Sequence, residues 1–293
     1  MHKKNRLLIF GFGYTSKFMC DKLAIKNWQV FCTTRFTEKI GEIKSFNAIP
    51  IGFDDEEKIK SLFDEDLYIL STAPPENGKD PVLENYGPLF KKNSERIKWV
   101  GYLSTTSVYG DKKGEWVNED TALEPNLERS ISRVSAEKSW IKFGLNHLVK
   151  TTIFRLAGIY GPGRSLIDRF IGNEKIYIID KPTHLFNRIH VEDIIGVVEK
   201  AMSSQSGTTI YNLSDDLPAT QLEVAQFAAS LLKKNIPETV SLSSEKVSEM
   251  ARSFYKEEKK VSNKKLKNEL GYHLAFPSFK EGLLAIYKNS RGS

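Results

Sequence analysis

The sequence is poor in cysteine, with only Cys20 and Cys32 in 293 residues. Two cysteines without metal-ligand spacing exclude a disulfide framework and a cysteine-based metal site. The five histidines are scattered as well, so no metal is expected. We interpret both cysteines as small buried side chains of a protein in a reducing compartment.

The sequence also lacks long apolar runs. No segment approaches the roughly 20 apolar residues that cross a bilayer. The basic start at residues 2–6 is followed by an apolar stretch too short for a secretory signal peptide. These absences predict a cytoplasmic protein without a membrane partner.

Neither sign of charge is in large excess. Lys and Arg number 43 against 37 Asp and Glu, a formal net charge of +6. That balance suits an anionic small ligand and does not demand a nucleic acid. The densest basic stretch, residues 256–267, is interleaved with Glu257, Glu258 and Asn263. We interpret it as a solvated helix face and predict no nucleic-acid partner.

Short apolar runs alternate with helical patterns through the first half of the chain. The runs that predict strands are residues 7–10, 29–34, 48–51, 67–71, 99–104 and 151–156. Most are apolar on both faces, as in a parallel sheet covered by helices. The predicted fold is α/β, a Rossmann-like doubly wound parallel sheet with a smaller, mostly C-terminal substrate lobe.

Beyond residue 158 the pattern loosens. Four helices and one strand are predicted there, around residues 165–171, 191–202, 222–232 and 279–287, and at 209–213. We predict a Rossmann domain at residues 1–164, to which 186–213 returns, and a substrate-binding lobe at 165–293.

The first apolar run breaks into a glycine-rich turn, Gly11-Phe12-Gly13-Tyr14-Thr15-Ser16. Gly11 allows a tight turn and Gly13 lets a pyrophosphate approach the backbone. The helix that begins near Tyr14 aims its N–H groups at the negative charge. Ser16 replaces the third glycine and is small enough to lie against the strand. We predict a dinucleotide site; the alternative is an ordinary glycine-rich turn.

The end of the second predicted strand carries no acid. An NAD-preferring site places Asp or Glu there for the ribose hydroxyls. Here the strand ends at Thr34 and Arg35 comes next, and a guanidinium suits the phosphate of NADP. We therefore predict NADP, with NAD as the alternative. Arg35 has a second interpretation, a solvated loop residue.

Three further motifs follow the turn in order. They are Ser-Thr-Thr-Ser-Val-Tyr-Gly at 104–110, Arg-Leu-Ala-Gly-Ile-Tyr-Gly-Pro-Gly at 155–163 and Asn-Arg-Ile-His-Val-Glu-Asp at 187–193. Over nearly the whole chain this order resembles the extended short-chain dehydrogenase/reductase superfamily of NAD-dependent nucleotide-sugar epimerases and dehydratases. The closest resemblance is to its atypical YeeZ-like branch. The resemblance implies a nicotinamide cofactor and a small-molecule substrate such as a nucleotide sugar.

One part of the family pattern is missing. Active members carry Tyr-x-x-x-Lys in the helix after the fifth strand, with Glu four residues beyond the Lys. Glu137 marks that register, which places Arg133 at the Lys position and Arg129 at the Tyr position. No tyrosine lies between Tyr109 and Tyr160. Arginine stays protonated near neutral pH, so it cannot replace the proton chemistry of the tyrosine.

Both arginines have two interpretations. Arg133 could bond the nicotinamide ribose, and Arg129 could pair with an anionic substrate. Alternatively Arg129, Arg133 and Glu137 form one exposed stripe, where an Arg133–Glu137 pair adds a few tenths of a kcal/mol. Thr105 falls at the family's hydroxyl position and is predicted to face the ligand. Its alternative is to close the strand with Thr106.

The resemblance implies the remaining contacts. Asp54 meets the adenine amine or caps a helix, and Thr72, Ala73 and Pro74 lie beside the cofactor. The implied substrate contacts are Thr106, Tyr160, Arg164 and Arg188. Tyr109, Arg155 and His190 are interpreted as structural.

Two functions stay open at this point. One is an oxidoreductase of epimerase, dehydratase or reductase type that uses Thr105 and an unassigned proton donor. The other is a non-catalytic dinucleotide-binding protein with a redox-sensing or regulatory role. The sequence favours cofactor binding over turnover, is compatible with a homodimer, and does not identify the substrate.

Overall fold

The structure is a computed structural model that describes residues 4–26, 28–204 and 207–291. In the first half the elements are β1 (Asn5–Phe10), α1 (Tyr14–Ala24), β2 (Trp28–Thr34), α2 (Ile40–Ser45), β3 (Ile49–Gly52), α3 (Glu56–Ser61), β4 (Leu67–Ser71), α4 (Pro81–Lys92), β5 (Ile97–Thr105), β6 (Trp116–Val117) and α5 (Glu128–His147). The second half adds β7 (Thr151–Leu156), β8 (Gly158–Tyr160), α6 (Leu166–Ile171), β9 (Tyr177–Ile179), β10 (Arg188–His190), α7 (Val191–Met202), β11 (Thr209–Leu213), α8 (Gln221–Leu232), β12 (Glu238–Val240), α9 (Glu249–Phe254), β13 (Lys260–Val261), α10 (Lys264–Asn268) and α11 (Phe279–Arg291).

The chain forms two compact units that interleave along the sequence. Unit 1 comprises Met1–Thr105, Leu127–Arg155 and Ile195–Tyr211, and unit 2 comprises Thr106–Asn126, Leu156–Ile194 and Asn212–Ser293. The chain passes between the units five times, at 105/106, 126/127, 155/156, 194/195 and 211/212. The division into a domain at 1–164, to which 186–213 returns, and a lobe at 165–293 stays a prediction.

Unit 1 is built on a seven-stranded parallel sheet of order β11-β7-β5-β4-β1-β2-β3. The strand order reverses between β1 and β4, which is the switch point of a doubly wound sheet. The predicted Rossmann-like α/β fold is therefore confirmed. Leu7, Leu8, Ile9 and Phe10 of β1 are each 0% exposed, because helices cover both faces of a parallel sheet.

Two helices of unit 1 are tied together by one buried carboxylate. Asp80 caps α4 by accepting the Val82 and Leu83 N–H groups at 3.0 Å each. Its second oxygen accepts from Trp140 Nε1 on α5, also at 3.0 Å. Burial raises the Asp80 pKa. The cap thus fixes α5, the helix that carries Arg129 and Arg133, against α4.

The two cysteines lie in the interior of unit 1, as predicted. Cys20 on α1 and Cys32 on β2 are each 0% exposed, with their sulfurs 3.4 Å apart. Burial raises the pKa of the Cys32 thiol. The prediction that both are buried side chains is confirmed.

Unit 2 packs helices around short parallel strand pairs, β8 with β10, β9 with β12 and β6 with β13. Its main core joins α6, α8 and α11 through residues such as Ile167, Ala225 and Leu283. Along the described ranges, no helix has both the length and the apolar character required to span a membrane.

The basic stretch 256–267 is not a solvated helix face, and that prediction is wrong. It contains β13 and the short helix α10. Lys259 is only 7% exposed, and its ammonium donates to the Gly110 carbonyl at 2.6 Å and to Glu257 at 3.0 Å. Lys259 directly precedes β13, and successive side chains of an extended segment point to opposite sides, so the lysines of this stretch do not share one helical face.

Candidate cofactor and substrate site

The turn after β1 requires glycine at position 11 for two reasons. Gly11 has φ +101°, where residues with a Cβ are strained. A Cβ there would also lie 2.7 Å from Thr72 Oγ1. The Gly11 N–H donates to Thr33 Oγ1 at 3.1 Å. Thr33 supports the turn, a role that the sequence did not reveal because the residue lies 22 positions away.

Ser16 stabilises the turn in place of a third glycine. Its side chain is 1% exposed, donates to the Gly11 carbonyl at 2.9 Å and lies 3.3 Å from Thr72 Oγ1. The Thr72 hydroxyl donates to the Phe10 carbonyl at 3.0 Å. Hydroxyls from α1 and from the end of β4 therefore hold the same turn, as expected for a small residue packed against the strand.

The start of α1 has the properties of an anion site. Gly13 is its N-cap, no side chain caps the helix, and no acidic residue occurs in its first turn. A Cβ on Gly13 would meet nothing within 4 Å. The helix dipole favours a negative charge at this end. The backbone therefore offers both space and charge to a pyrophosphate.

The other side chains of the turn, Phe12, Tyr14 and Thr15, are buried or partly buried. Phe12 is 6% exposed and packs edge-on against Phe46, with ring centroids 5.9 Å apart. The Tyr14 ring is tilted against the Phe18 ring, with the ring centroids 5.0 Å apart. Thr15 is 8% exposed. Contact of these side chains with a cofactor stays a prediction.

Arg35 is held at the end of β2. It pairs with Glu76, and its guanidinium lies 4.5 Å from the centre of the Phe53 ring. The two side chains of the ion pair are 41% and 50% exposed, so the pair contributes little to stability. Glu76 and Phe53 therefore orient Arg35, and its contact with the phosphate of NADP stays a prediction. Thr34 Oγ1 accepts the Phe36 N–H at 3.0 Å.

Asp54 lies beside the same strand end. Its neighbour Phe53 donates its N–H to the Thr34 carbonyl at 2.8 Å. The N-cap of α3 is Asp55, which accepts the Lys58 N–H at 3.1 Å. The alternative that Asp54 caps a helix is therefore wrong, and its adenine contact stays a prediction. Ala73 and Pro74 continue the loop that begins with Thr72.

Arg133 faces the sheet and not the solvent. Its Nη1 donates to the Tyr102 hydroxyl at 3.0 Å and to the Leu103 carbonyl at 2.8 Å, both on β5. Arg129, one turn earlier on α5, is exposed. The alternative of one exposed stripe is wrong, because Glu137 is only 1% exposed.

Glu137 forms a buried ion pair with Arg155 of β7. Their closest approach is 2.8 Å, with side chains 2% and 3% exposed. Glu137 also accepts from the Ser104 hydroxyl at 2.5 Å. The pair fixes α5 against the ends of β5 and β7, and confirms the anchoring role predicted for Arg155. Thr105, the last residue of β5, follows Ser104 directly.

Tyr109 does not supply the missing tyrosine. It is 0% exposed, and its hydroxyl donates to Asn212 Oδ1 at 2.6 Å within unit 2. The structural interpretation is therefore confirmed. His190 is structural as well: it is 1% exposed, its Nδ1 accepts the Glu192 N–H at 3.3 Å, and burial lowers its pKa to about 4.

The implied substrate residues all lie in unit 2, in different settings. Thr106 is 9% exposed and begins a short 3-10 turn, whereas Arg164 is exposed in the turn after β8. Tyr160 is 8% exposed and donates to the Ser278 carbonyl at 3.2 Å. Arg188 lies on β10, which pairs with the strand of Tyr160. Their contact with a substrate stays a prediction.

Comparisons with known proteins agree with this architecture. The model of the NAD dependent epimerase/dehydratase family matches residues 90–214. A solved structure of a functionally unknown conserved protein from Silicibacter pomeroyi is 37% identical, with a TM-score of 0.90, over 98% of this chain and 99% of that one. The chain belongs to the NAD dependent epimerase/dehydratase family.

Two other proteins are similar to the chain. Protein YeeZ of Escherichia coli K12 is 26% identical over 224 residues, which cover 71% of this chain and 77% of YeeZ. The UDP-glucuronic acid 4-epimerase of Bacillus cereus, solved with UDP-glucuronic acid and NAD, shares the fold with a TM-score of 0.75 at 20% identity. That alignment covers 98% of this chain and 99% of the epimerase. The family resemblance drawn from the motifs is confirmed.

Proposed function

We propose that the protein binds NADP, with NAD as the alternative, and acts as an oxidoreductase of epimerase, dehydratase or reductase type. Its proposed substrate is a nucleotide sugar or another anionic carbonyl compound. The observation that carries this proposal is the turn at residues 11–16, where Gly11, Thr33 and Thr72 hold the backbone and the start of α1 is left open to an anion.

The proposed cofactor contacts follow from that turn. Gly13 and the first turn of α1 bind the pyrophosphate. Arg35 binds the phosphate of NADP, Asp54 meets the adenine, and the loop from Thr72 lies beside the ribose. When bound, the nicotinamide supplies hydride transfer. Bacillus cereus UDP-glucuronic acid 4-epimerase and MoeE5 were both solved with NAD and a UDP-linked ligand, which supports the cofactor and substrate class.

The proposed reacting centre is atypical. Thr105 bonds the substrate oxygen, and Arg129 pairs with an anionic group of the substrate. Arg133 binds the ribose through N–H groups other than Nη1, because Nη1 donates to the Tyr102 hydroxyl and the Leu103 carbonyl. None of these side chains is a general base near neutral pH, so the proton donor is unassigned.

The lack of an assigned proton donor supports a second candidate function, that of a non-catalytic dinucleotide-binding protein. The sequence from 110 to 159 contains no tyrosine, and Arg133 already bonds two groups of β5. The two candidates differ in turnover. Incubation with cofactor and UDP-glucose, followed by product analysis, decides between them, since any turnover removes the non-catalytic role.

Arg35→Ala tests the cofactor choice. Loss of a charge-assisted bond to the phosphate is expected to weaken NADP binding about 10- to 100-fold. NAD binding is expected to stay within about twofold, because NAD lacks that phosphate. Calorimetric titration of both cofactors measures the two affinities. Glu76→Gln serves as the matched variant: it frees Arg35 and is expected to leave NADP binding unchanged or stronger. Equal losses for NAD and NADP in Arg35→Ala contradict the assignment.

A further inference from the structure

A buried carboxyl group in unit 2 lies next to the arginine proposed for the substrate. Asp215 is 1% exposed and follows β11 by two residues. Its N–H donates to the Arg188 carbonyl at 2.6 Å, which places it beside β10. Its Oδ1 accepts the Leu217 N–H at 3.3 Å. Within the part of the chain that the structure describes, its buried Oδ2 has no hydrogen-bond partner.

Arg188 is not neutralised by an ion pair among the described residues. Its Nη1 donates to two backbone carbonyls, Phe186 at 3.0 Å and Ala219 at 2.9 Å. Burial lowers its pKa, and Asp215 is the charged group that opposes this shift most strongly. Two carbonyls orient the guanidinium without cancelling its charge. Tyr160, Tyr255 and Glu223 also face Arg188 with smaller effects, so the protonation state of Asp215 has the largest effect on the positive charge that a ligand meets.

Several charged groups face Asp215. Burial raises its pKa to about 8, with Arg188 opposing this shift and Asp216 and Glu281 adding to it. Asp215 in turn raises the pKa of Tyr160, on β8. Near neutral pH the carboxyl is therefore mostly protonated and neutral, and it releases its proton to solvent as the pH passes 8.

We propose that Asp215 determines the anion affinity of Arg188. As a neutral acid it leaves the charge of Arg188 to the diphosphate of a bound nucleotide sugar. As a carboxylate it competes with that diphosphate for the guanidinium. Asp215 acts here through Arg188 and is a positioning residue. The inference rests on the proposed function, because it takes Arg188 as a substrate contact.

The experiment is calorimetric titration with UDP-glucose at pH 6.5, 7.5, 8.5 and 9.0. The probe is chosen because its diphosphate diester does not change charge over this range. Wild-type affinity is expected to fall about tenfold between pH 7.5 and 9.0, a typical coupling between two sites. Asp215→Asn is expected to give a flat profile and tighter binding than wild type at pH 9.0.

Asp216→Asn is the matched control, since Asp216 is the neighbouring carboxylate but is 40% exposed and paired with Lys267. It is expected to keep the fall in affinity with rising pH, moved toward lower pH because the Asp216 charge contributes to the raised pKa of Asp215. A flat wild-type profile overturns the proposal whether or not the variants fold, and so does an Asp215→Asn profile parallel to wild type. In either case UDP-glucose still binds, and the proposed function stands. Absence of UDP-glucose binding at every pH contradicts the proposed substrate class as well.

A second measurement needs no ligand. The folded-state pKa of Asp215 lies above its unfolded value, so the native protein holds an extra proton between about pH 4 and pH 8. The contribution of Asp215 to stability is fully present at pH values below the unfolded-state pKa of this group, and it is lost as the pH rises through 8. Relative to Asp215→Asn, the wild-type unfolding equilibrium constant is expected to rise up to about tenfold per pH unit in that window. Equal slopes for the two proteins contradict a neutral Asp215.

Discussion

Glu137→Gln is expected to lower the free energy of unfolding by about 3–5 kcal/mol, because it removes the carboxylate charge that pairs with the buried Arg155 guanidinium. The two side chains are 2% and 3% exposed and approach to 2.8 Å. Glutamine keeps the shape of the side chain, so the loss reports charge and not a cavity. Urea unfolding at neutral pH measures it.

Glu174→Gln is the control for this experiment. Glu174 also pairs with an arginine, Arg169, at 2.9 Å, but the side chains are 59% and 42% exposed. Its substitution is expected to change stability by less than about 1 kcal/mol. If Glu137→Gln costs no more than Glu174→Gln, the pair does not anchor α5 to the sheet.

Gly13→Asp is expected to abolish dinucleotide binding while leaving the fold intact. Gly13 has φ −105° and an open space beside its Cα, so a side chain fits without strain. Aspartate is a favourable N-cap, and stability is expected to be unchanged or higher by up to about 1 kcal/mol. The carboxylate of the new aspartate lies where the pyrophosphate would bind. Repulsion between two negative charges at such a short distance is expected to weaken binding about 100-fold or more.

Two further substitutions separate charge from shape in this experiment. Gly13→Ser is also a good N-cap but carries no charge, so it is expected to retain much more binding than Gly13→Asp. Gly11→Ala is expected to fail differently and to destabilise the protein, because φ is +101° and the new methyl group would lie 2.7 Å from Thr72 Oγ1. If Gly13→Asp binds dinucleotides with the affinity of the wild type, the start of α1 is not the anion site.

The sheet was predictable because its signal is local. Runs such as residues 67–71, apolar on both faces, form β4 as predicted, and residues 191–202 and 209–213 form α7 and β11 with the predicted bounds. Parallel strands buried by helices leave this pattern in the sequence. The glycine turn was predictable for the same reason, since its strand, turn and helix follow one another directly.

The supports of the site were not predictable, because they join distant segments. The spacing of Arg133 and Glu137 suggested an exposed pair one helical turn apart. In the fold Glu137 instead meets Arg155 on β7, and Arg133 meets Tyr102 on β5. Thr33 and Glu76 likewise gain their roles only when the strand ends meet. Helical spacing shows which residues share a face, but not whether that face is covered by the sheet.

The proposed binding of a nicotinamide dinucleotide by residues 11–16 is tested most directly by calorimetric titration of the wild-type protein with NADP(H) and NAD(H), with Gly13→Asp as the paired variant. We expect saturable binding to the wild type with one site per chain, tighter for NADP, and no detectable binding to the variant. Absence of binding by either dinucleotide to the folded wild type would contradict it, and would leave the turn as a structural feature of the fold.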